Sequence, residues 1–272
     1  MVTNDDGIDS TGLHVLARAM RRHGDVVIIA PDGEYSGAGA SLGPLHLIHP
    51  RATRATVEGI DEAWSVDGPP ALCTMFARFG VFGPIDLVVS GINPGANVGR
   101  AVYHSGTVGA ALTARNGGIS GVAVSQSVAG LDVEGQGGGQ LRADQHWDTA
   151  AEAASVVVGE LLAAELTDAV VVNLNVPNLP MNGIERWLHA TIGDAPPAAI
   201  ANARLEPVPG HEDSYSIVME LGHTVSSPPE SDSAAIDRDE ITVTYLSRFH
   251  PEPQPALAGV DDALDLLLKS AR

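Results

Sequence analysis

The stretch Asp25-Val-Val-Ile-Ile-Ala30 decides the predicted fold, because it is a short apolar run, rich in β-branched residues, that ends at a proline. Three similar runs follow at residues 86–90, 121–125 and 169–176. Strands that are apolar along their whole length are typical of a parallel sheet that helices cover on both faces. The four runs therefore predict a mostly parallel sheet at the centre of the protein.

Helical periodicity fills the segments between these runs. Apolar residues recur at helical spacing in residues 13–20, 108–112 and 151–162. Strands that alternate with amphipathic helices are typical of α/β proteins with two helical layers around one sheet. The sequence therefore predicts a Rossmann-like three-layer α/β/α sandwich.

This pattern ends near residue 195. Prolines then become frequent, two strand-like runs follow, and an amphipathic helix comes last. We expect residues 1–195 to form the Rossmann-like domain, whose strand ends carry the candidate catalytic residues described below. Residues 196–272 are expected to form a C-terminal arm, hairpin and helix that serve self-association. The glycine-rich segment at residues 128–145 is expected to be an inserted surface loop.

Composition narrows the possible partners and location. The 272 residues include 15 basic and 34 acidic side chains, a formal charge of −19, which disfavours binding to the phosphates of a nucleic acid duplex. No apolar run approaches the roughly 20 residues that a membrane helix needs, and no signal-peptide pattern is present. The single cysteine, Cys73, suits a reducing compartment. A cytoplasmic protein without a membrane partner is expected.

Side chains that carry oxygen follow three of the predicted strands. Asn4-Asp-Asp-Gly7 follows the first strand at residues 1–3, Ser36 comes after the second, and Asn93 comes after the third. The carboxyl ends of parallel strands meet at one edge of a sheet, where ligands bind. The oxygens of Asp5, Asp6, Ser36 and Asn93 therefore predict a site for one divalent cation, Mg²⁺ or Mn²⁺, with Ca²⁺ also chemically suitable.

A simple turn is the alternative interpretation of Asn4-Asp-Asp-Gly7, because these residue types are favoured in turns. The burial of two adjacent carboxylates would raise the pKa of at least one of them. A divalent cation removes that cost, and its charge balances both carboxylates. The sequence alone leaves the turn and the metal site open.

A second candidate binding element is the start of the helix after the third strand. Ser105, Gly106 and Thr107 precede its apolar positions, and free N–H groups at a helix N-terminus can bind a phosphate. Ser105 or Thr107 could equally serve only as an N-cap. Asn97 either points into the same cleft or holds its own loop, and His104 is the histidine beside this cleft.

Gly39-Ala-Ser-Leu-Gly43 matches the pattern of a hydrolase nucleophile elbow, with Ser41 as the nucleophile. That motif requires a strand, a sharp turn and a helix in succession. The prolines at positions 44 and 50 do not favour a helix after Ser41. A serine hydrolase is therefore a weaker alternative.

Taken together, these motifs make the sequence resemble the SurE family, the survival protein E nucleotidases. The resemblance covers roughly residues 1–180, with the segments in order and at sensible spacing. The matching segments are Thr3-Asn-Asp-Asp-Gly7, Ala30-Pro-Asp32 with Ser36-Gly37, Val89-Ser-Gly-Ile-Asn93, Asn97-Val-Gly99, His104-Ser-Gly-Thr-Val108, His146-Trp-Asp-Thr-Ala150 and Asn173-Leu-Asn-Val-Pro-Asn178. One departure is Gly68-Pro-Pro-Ala-Leu-Cys73, where the family favours Gly-Thr-Pro-Ala-Asp-Cys.

The resemblance implies a metal-dependent hydrolysis of nucleoside 5′- and 3′-monophosphates. It implies that Asp5, Asp6, Ser36 and Asn93 hold the cation, the same four residues that the strand ends select. It also implies a C-terminal arm and helix that are exchanged between subunits to build a homodimer or a homotetramer. A non-catalytic nucleotide-binding protein with the same fold is the remaining alternative.

Overall fold

The computed structural model describes most of the chain. The described residues are 1–45, 47, 49–128, 145–194, 200–211, 213–221, 227–247 and 258–270. The inserted loop expected at residues 128–145 lies, apart from its two ends, outside the described residues.

One nine-stranded sheet forms the centre of the protein, in the order β3-β4-β2-β1-β5-β6-β7-β11-β8. Its strands are β1 Val2–Thr3, β2 Val27–Pro31, β3 Ala52–Val57, β4 Ile60–Val66, β5 Leu87–Pro94, β6 Ser120–Gln126, β7 Val171–Val176, β8 Trp187–His189 and β11 Ile241–Leu246. Six neighbouring strands in this order are parallel to one another: β4, β2, β1, β5, β6 and β7. Strand β3 runs antiparallel to β4, and β11 runs antiparallel to β7. The mostly parallel sheet is therefore confirmed.

Helices cover both faces of this sheet. Their bounds are α1 Thr11–Met20, α2 Pro70–Arg78, α3 Gly106–Asn116, α4 Trp147–Ala163, α5 Asp232–Ile236 and α6 Ala258–Ser270. The helices α1 and α4 pack against each other on one face, and α2 and α3 pack against each other on the other face. The three-layer α/β/α sandwich is confirmed by this arrangement.

The largest apolar core lies under α1 and α4. Leu13 and Leu16 of α1 are fully buried there, together with Ile28 of β2 and Leu174 of β7. Burial of these side chains is what fixes the helices to the sheet, since each large aliphatic side chain contributes about 1.5–3 kcal/mol when it is buried. The apolar spacing that predicted these helices thus marks their buried faces.

The sheet extends past the boundary expected at residue 195. Strand β11 pairs with β7 from Thr242 to Leu246, and α5 lies just before it. Residues 196–272 therefore contribute more than an arm, a hairpin and a helix, because part of this segment completes the central sheet. The division into folding units at that residue stays a prediction.

The expected hairpin is present beyond residue 195. Strands β9 Ile200–Pro207 and β10 Tyr215–Leu221 pair antiparallel in a separate two-stranded sheet. The helix α6 is also present, and large apolar side chains on it are exposed, as they are on the hairpin. Among the described residues, no helix is both long and apolar enough to cross a membrane.

The order of the strands places three strand ends side by side. Strand β1 lies between β2 and β5, with Val2 opposite Ile28 on one side and opposite Val89 on the other. All three strands run parallel, so the segments that follow them emerge at one edge of the sheet. This edge carries the candidate site.

Candidate active site

Asp5 is a buried carboxylate at the carboxyl end of β1. Its side chain is enclosed at 3% exposure, and its backbone carbonyl accepts a hydrogen bond of 2.7 Å from the N–H of Tyr35 in the segment after β2. The segments that follow β1 and β2 are therefore joined directly at this residue.

The N-terminal turn of α3 lies against the Asp5 carboxylate. The Thr107 hydroxyl donates a hydrogen bond of 2.5 Å to Asp5 Oδ1. Gly106 approaches so closely that a Cβ at this position would lie 2.8 Å from both Asp5 Cβ and Asp5 Oδ2. Only a glycine leaves room here for the carboxylate. The contact with Asp5 therefore accounts for the glycine at position 106 and the hydroxyl at position 107.

Burial raises the pKa of the Asp5 carboxyl above its ordinary value, and the nearby charge of Glu34 acts in the same direction. Hydrogen bonds from Thr107 lower it and offset part of this effect. No described lysine or arginine forms an ion pair with Asp5. A buried carboxylate without a basic partner is the arrangement that a bound cation would stabilise.

Asp6 is also buried, next to a tight bend. Asn4 closes this bend, because its side-chain amide donates to the carbonyl of Gly7 at 3.1 Å. Gly7 has a φ of +99°, and a Cβ on it would lie 3.0 Å from the Gly33 carbonyl oxygen. The bond that closes the bend is made by Asn4 and not by the carboxylates of Asp5 or Asp6. The segment can therefore form a turn and also supply carboxylates to a metal site.

Ser36 lies beyond β2 and is held by Glu34. Its hydroxyl donates to Glu34 Oε1 at 2.5 Å, and its backbone N–H donates to the same oxygen at 3.1 Å. With the hydroxyl proton committed to Glu34, the lone pairs of Ser36 Oγ remain available to an electrophile. Glu34 was not singled out from the sequence, although it lies two residues from Ser36 and affects the pKa of Asp5.

Asn93 lies in the last part of β5, after a shift in strand register between Ser90 and Asn93. Its amide nitrogen donates to the Gly95 carbonyl at 2.7 Å. This bond commits the nitrogen and leaves the amide oxygen as the acceptor end of the side chain. An oxygen donor is what the predicted site requires of Asn93.

The segments after β1 and β2, together with the last part of β5, therefore bring two carboxylates, a hydroxyl and an amide to one edge of the sheet. Among the described residues, no three histidine, cysteine, aspartate or glutamate side chains form a metal-binding group. A cation at this edge would thus depend on two carboxylates supplemented by neutral oxygens, a donor set that suits hard divalent cations.

The start of α3 offers a donor to an anion. Ser105 is the N-cap, and its hydroxyl accepts from the Val108 N–H at 3.1 Å. The Gly106 N–H donates to none of the described residues. Ser105 therefore acts as a cap, and Gly106 keeps the free N–H group that the phosphate interpretation needs.

Asn97 is held by a network of buried polar groups. Its side-chain amide donates to Ser125 Oγ at 2.8 Å, and its backbone N–H donates to Asn175 Oδ1 at 2.7 Å. Its carbonyl accepts from the side chains of Asn173 at 2.8 Å and Asn175 at 3.2 Å. These bonds show that Asn97 fixes the path of its loop, which was one of the two roles expected for it.

Two other sequence candidates lie in exposed positions. His104 is exposed, and its carbonyl accepts from the Gly39 N–H at 3.0 Å. Ser41 is exposed in a segment without regular structure. No helix follows Ser41 among the described residues up to 69, so the context of a nucleophile elbow is missing.

Sequence reasoning assigned no role to Ser125, Asn173, Asn175 or Asp232. The two asparagines alternate on the buried strand β7, and this spacing of amides within an apolar run was a usable signal. Asp232 gave no such signal, because the contacts that distinguish it, with Gly99 and Gly193, are with residues far along the chain.

Fold and site together define a Rossmann-like α/β protein with an acidic site beside a helix N-terminus. The family model described as survival protein SurE matches residues 1–196. A 5′-nucleotidase SurE from Legionella pneumophila is 39% identical over 191 residues, 70% of this chain and 68% of the relative. A 5′/3′-nucleotidase SurE from Erwinia tasmaniensis is 33% identical over 247 residues, 90% of this chain and 88% of the relative.

A solved structure agrees with these relatives. The crystal structure of the SurE protein from Aquifex aeolicus matches with a TM-score of 0.69 and 26% identity, covering 98% of both chains. The chain belongs to the SurE family, as its motifs indicated.

Proposed function

We propose that the protein is a metal-dependent phosphomonoesterase that hydrolyses nucleoside 5′- and 3′-monophosphates to a nucleoside and phosphate. Its relatives in Legionella pneumophila and Erwinia tasmaniensis are a 5′-nucleotidase and a 5′/3′-nucleotidase. The observation that carries the proposal is the buried Asp5 carboxylate, held by Thr107 at the N-terminus of α3. This contact joins a cation-attracting group to an anion-attracting one.

One divalent cation per subunit would be held by Asp5, Asp6, Ser36 and Asn93. The residues fit the ion, because Asp5 is buried without an ion-pair partner among the described residues and the other donors are oxygens. Mg²⁺ or Mn²⁺ is proposed, and Ca²⁺ suits the same donors. When bound, such an ion supplies Lewis-acid activation of a phosphate oxygen and of water.

The phosphate is bound at the start of α3. The Gly106 N–H and the positive end of the helix macrodipole attract its oxygens, and Ser105 keeps the first turn capped. Asn97 holds the loop that leads to this turn, through its bonds to Asn175 and Ser125, and is proposed to contribute to phosphate binding. N–H groups that are fixed before the substrate arrives stabilise the charge that develops on the phosphoryl oxygens during the reaction.

Asp5 and Asp6 are the proposed catalytic residues. Their carboxylates orient the attacking water opposite the leaving oxygen, and Thr107 keeps Asp5 in place through its 2.5 Å hydrogen bond. A proton must also reach the leaving oxygen. His104, exposed directly before Ser105, is the candidate donor, and solvent is the alternative donor.

Self-association and location are finer parts of the proposal. Exposed apolar side chains on the β9–β10 hairpin and on α6 support a homodimer or homotetramer, with the segment after residue 195 at the contact. A single cysteine, Cys73, which is buried, is compatible with the cytoplasm. Size-exclusion chromatography with light scattering measures the assembly. A molar mass of one chain would contradict the proposed homodimer or homotetramer.

The test is phosphate release from 5′-AMP and 3′-AMP by chelator-treated protein, with and without added Mg²⁺ or Mn²⁺. We expect release only with added metal, and we expect Asp5→Asn to abolish it. Ser41→Ala is the matched control and should retain full activity. Equal release without metal would overturn the metal dependence. Nucleotide binding without release of phosphate would favour the non-catalytic alternative.

A further inference from the structure

A second buried carboxylate contacts the loop that leads from β5 to α3. Asp232 begins α5 and is fully buried. Its Oδ1 accepts hydrogen bonds from the backbone N–H groups of Gly193 and Ser233, each at 2.8 Å, and from the Ser233 hydroxyl at 3.3 Å. Its Oδ2 accepts from the Gly99 N–H at 3.1 Å, and Oδ1 shares that donor at 3.2 Å. Three distant segments of the chain therefore meet at one carboxylate.

Gly99 occupies the link between β5 and the start of α3. It opens the short 3₁₀ helix Gly99–Tyr103, and its φ of +54° lies in the left-handed region. The Ser105 N–H donates to the Ala101 carbonyl at 3.1 Å, so the turn that begins at Gly99 leads directly into the N-cap of α3. A displacement of Gly99 would therefore be transmitted to Ser105 and Gly106.

This link has two independent anchors. Ser125, Asn173 and Asn175 hold Asn97 from the strands β6 and β7. Asp232 holds Gly99 from the segment before β11, where its own N–H donates to the Thr191 carbonyl at 2.8 Å. The second anchor comes from the C-terminal part of the chain, which has no other role in the proposed chemistry.

We propose that Asp232 is a positioning residue for phosphate binding, because its carboxylate fixes Gly99 and through it the path of residues 97–106. The proposal rests on the proposed function, since it assigns to Asp232 the geometry of the same phosphate site. Asp232 touches neither the phosphate nor the proposed metal ligands. It acts through the backbone that carries the Gly106 N–H group.

The two carboxylate oxygens allow a selective test. In Asp232→Asn, the amide oxygen can take the place of Oδ1 and keep the bonds from Gly193 and Ser233. The amide NH₂ then faces the Gly99 N–H, and two donors cannot bond to each other. The variant therefore loses the 3.1 Å bond from Gly99 and places a repelling donor beside it, so only the shared 3.2 Å contact with the remaining oxygen still holds Gly99. The other contacts of the side chain are preserved.

Ser231→Ala is the matched control. The Ser231 hydroxyl accepts from the Ala234 N–H at 3.2 Å and donates to the Pro228 carbonyl at 2.7 Å, so it caps α5 without contacting Gly99. Its removal weakens the same local structure. A role of Asp232 in local stability alone predicts the same kinetic behaviour for both variants.

The experiment compares the two variants with the parent protein in four quantities: KM and kcat for 5′-AMP, the Mn²⁺ activation constant, and the dissociation constant of inorganic phosphate measured by calorimetry with Mn²⁺ present. For Asp232→Asn we expect KM and the phosphate dissociation constant to rise about tenfold, as for one lost hydrogen bond to a charged group, while kcat and the Mn²⁺ activation constant stay within about twofold. Ser231→Ala should match the parent in all four quantities.

Parent-like KM and phosphate binding in Asp232→Asn would overturn the positioning role and leave the proposed function standing. A parent protein that neither hydrolyses 5′-AMP nor binds phosphate would overturn both. If Asp232→Asn does not fold, Asp232→Glu replaces it, because the longer side chain keeps the charge and displaces the oxygens. Failure of both variants to fold would make Asp232 a folding residue and overturn the proposal.

Discussion

The Thr107 hydroxyl lies 2.5 Å from Asp5 Oδ1, and this hydrogen bond joins the segment after the first strand to the third helix across 102 residues of sequence. It supports the carboxylate that burial makes unfavourable in its charged form, because hydrogen bonds from Thr107 lower the pKa of Asp5. The candidate site is built on this contact.

Removal of the hydroxyl should weaken the site. In Thr107→Val the carboxylate loses its donor, and we expect kcat/KM for 5′-AMP to fall about 10- to 100-fold, the range for a hydrogen bond to a charged group. Thr107→Ser keeps the hydroxyl and should stay near the parent value. Equal kinetics for the two variants would show that the hydroxyl is not needed.

A methyl group at Gly106 should be poorly tolerated. Its Cβ would lie 2.8 Å from Asp5 Cβ and Oδ2, so either the carboxylate or the first turn of α3 must move. We expect Gly106→Ala to lose most of its metal-dependent activity. Gly183→Ala is the control, because a Cβ there meets only ordinary contacts of 3.7 Å and longer. Steady-state assays with Mn²⁺ measure both, and an active Gly106→Ala protein would contradict the packing argument.

Substitutions of Ser36 and Ser41 distinguish the metal-dependent mechanism from a serine hydrolase mechanism. The Ser36 hydroxyl is oriented by Glu34, whereas Ser41 is exposed and lacks the strand and helix of a nucleophile elbow. We expect Ser36→Ala to require a higher Mn²⁺ concentration for half-maximal activity, because one oxygen donor is lost. Ser41→Ala should follow the parent curve. Titration of each chelator-treated variant with Mn²⁺ measures both curves. Loss of activity in Ser41→Ala would instead support a serine hydrolase mechanism.

Loss of the amide of Asn175 should lower the free energy of unfolding of the protein. Its side chain accepts from the Asn97 N–H and donates to the Asn97 carbonyl, and both residues are buried. Asn175→Ala leaves the Asn97 N–H without its acceptor, and we expect a loss of about 2–4 kcal/mol in the free energy of unfolding. Urea denaturation measures it, and a loss below about 0.5 kcal/mol would mean that the network is dispensable.

Asp232 should give the protein a specific pH dependence. Burial raises its pKa above the ordinary value of 3.8, against the opposing hydrogen bonds from Gly193 and Gly99. The folded state therefore holds the proton more tightly than the unfolded state. The contribution of Asp232 to stability is then largest below pH 3.8, falls as the pH rises to the raised pKa, and is constant above it.

The comparison with Asp232→Asn isolates this effect, because the amide does not titrate. We expect the parent to lose stability relative to the variant across that pH interval. Urea unfolding of both proteins at several acidic and neutral pH values measures the difference. A difference that is constant, or that moves in the opposite direction, would contradict a raised pKa.

The elements with strong local patterns could be predicted from the sequence. The apolar runs became the central strands, and the spacing of Leu13 and Leu16 gave the buried face of α1. Strands β3 and β4 were missed because they form a hairpin at the edge of the sheet, with β3 largely exposed and β4 half-buried, in which polar and apolar residues mix. Such edge strands carry a weak periodic signal.

The residues of the candidate site likewise divide into those that a local sequence pattern indicated and those that it did not. Asp5, Asp6, Ser36 and Asn93 could be proposed because each follows a strand that the sequence revealed. Glu34 and Asp232 could not, since their roles depend on contacts made only in the folded chain. Asp232 lies 133 residues from Gly99, and no local pattern indicates that the two meet.

An anomalous-difference map from a crystal soaked in Mn²⁺ tests the central claim most directly. The account predicts one manganese peak per chain, contacted by oxygens of Asp5, Asp6, Ser36 and Asn93 at the edge of the sheet beside Gly106. A map in which these side chains face only water, with manganese absent or bound elsewhere, would contradict it.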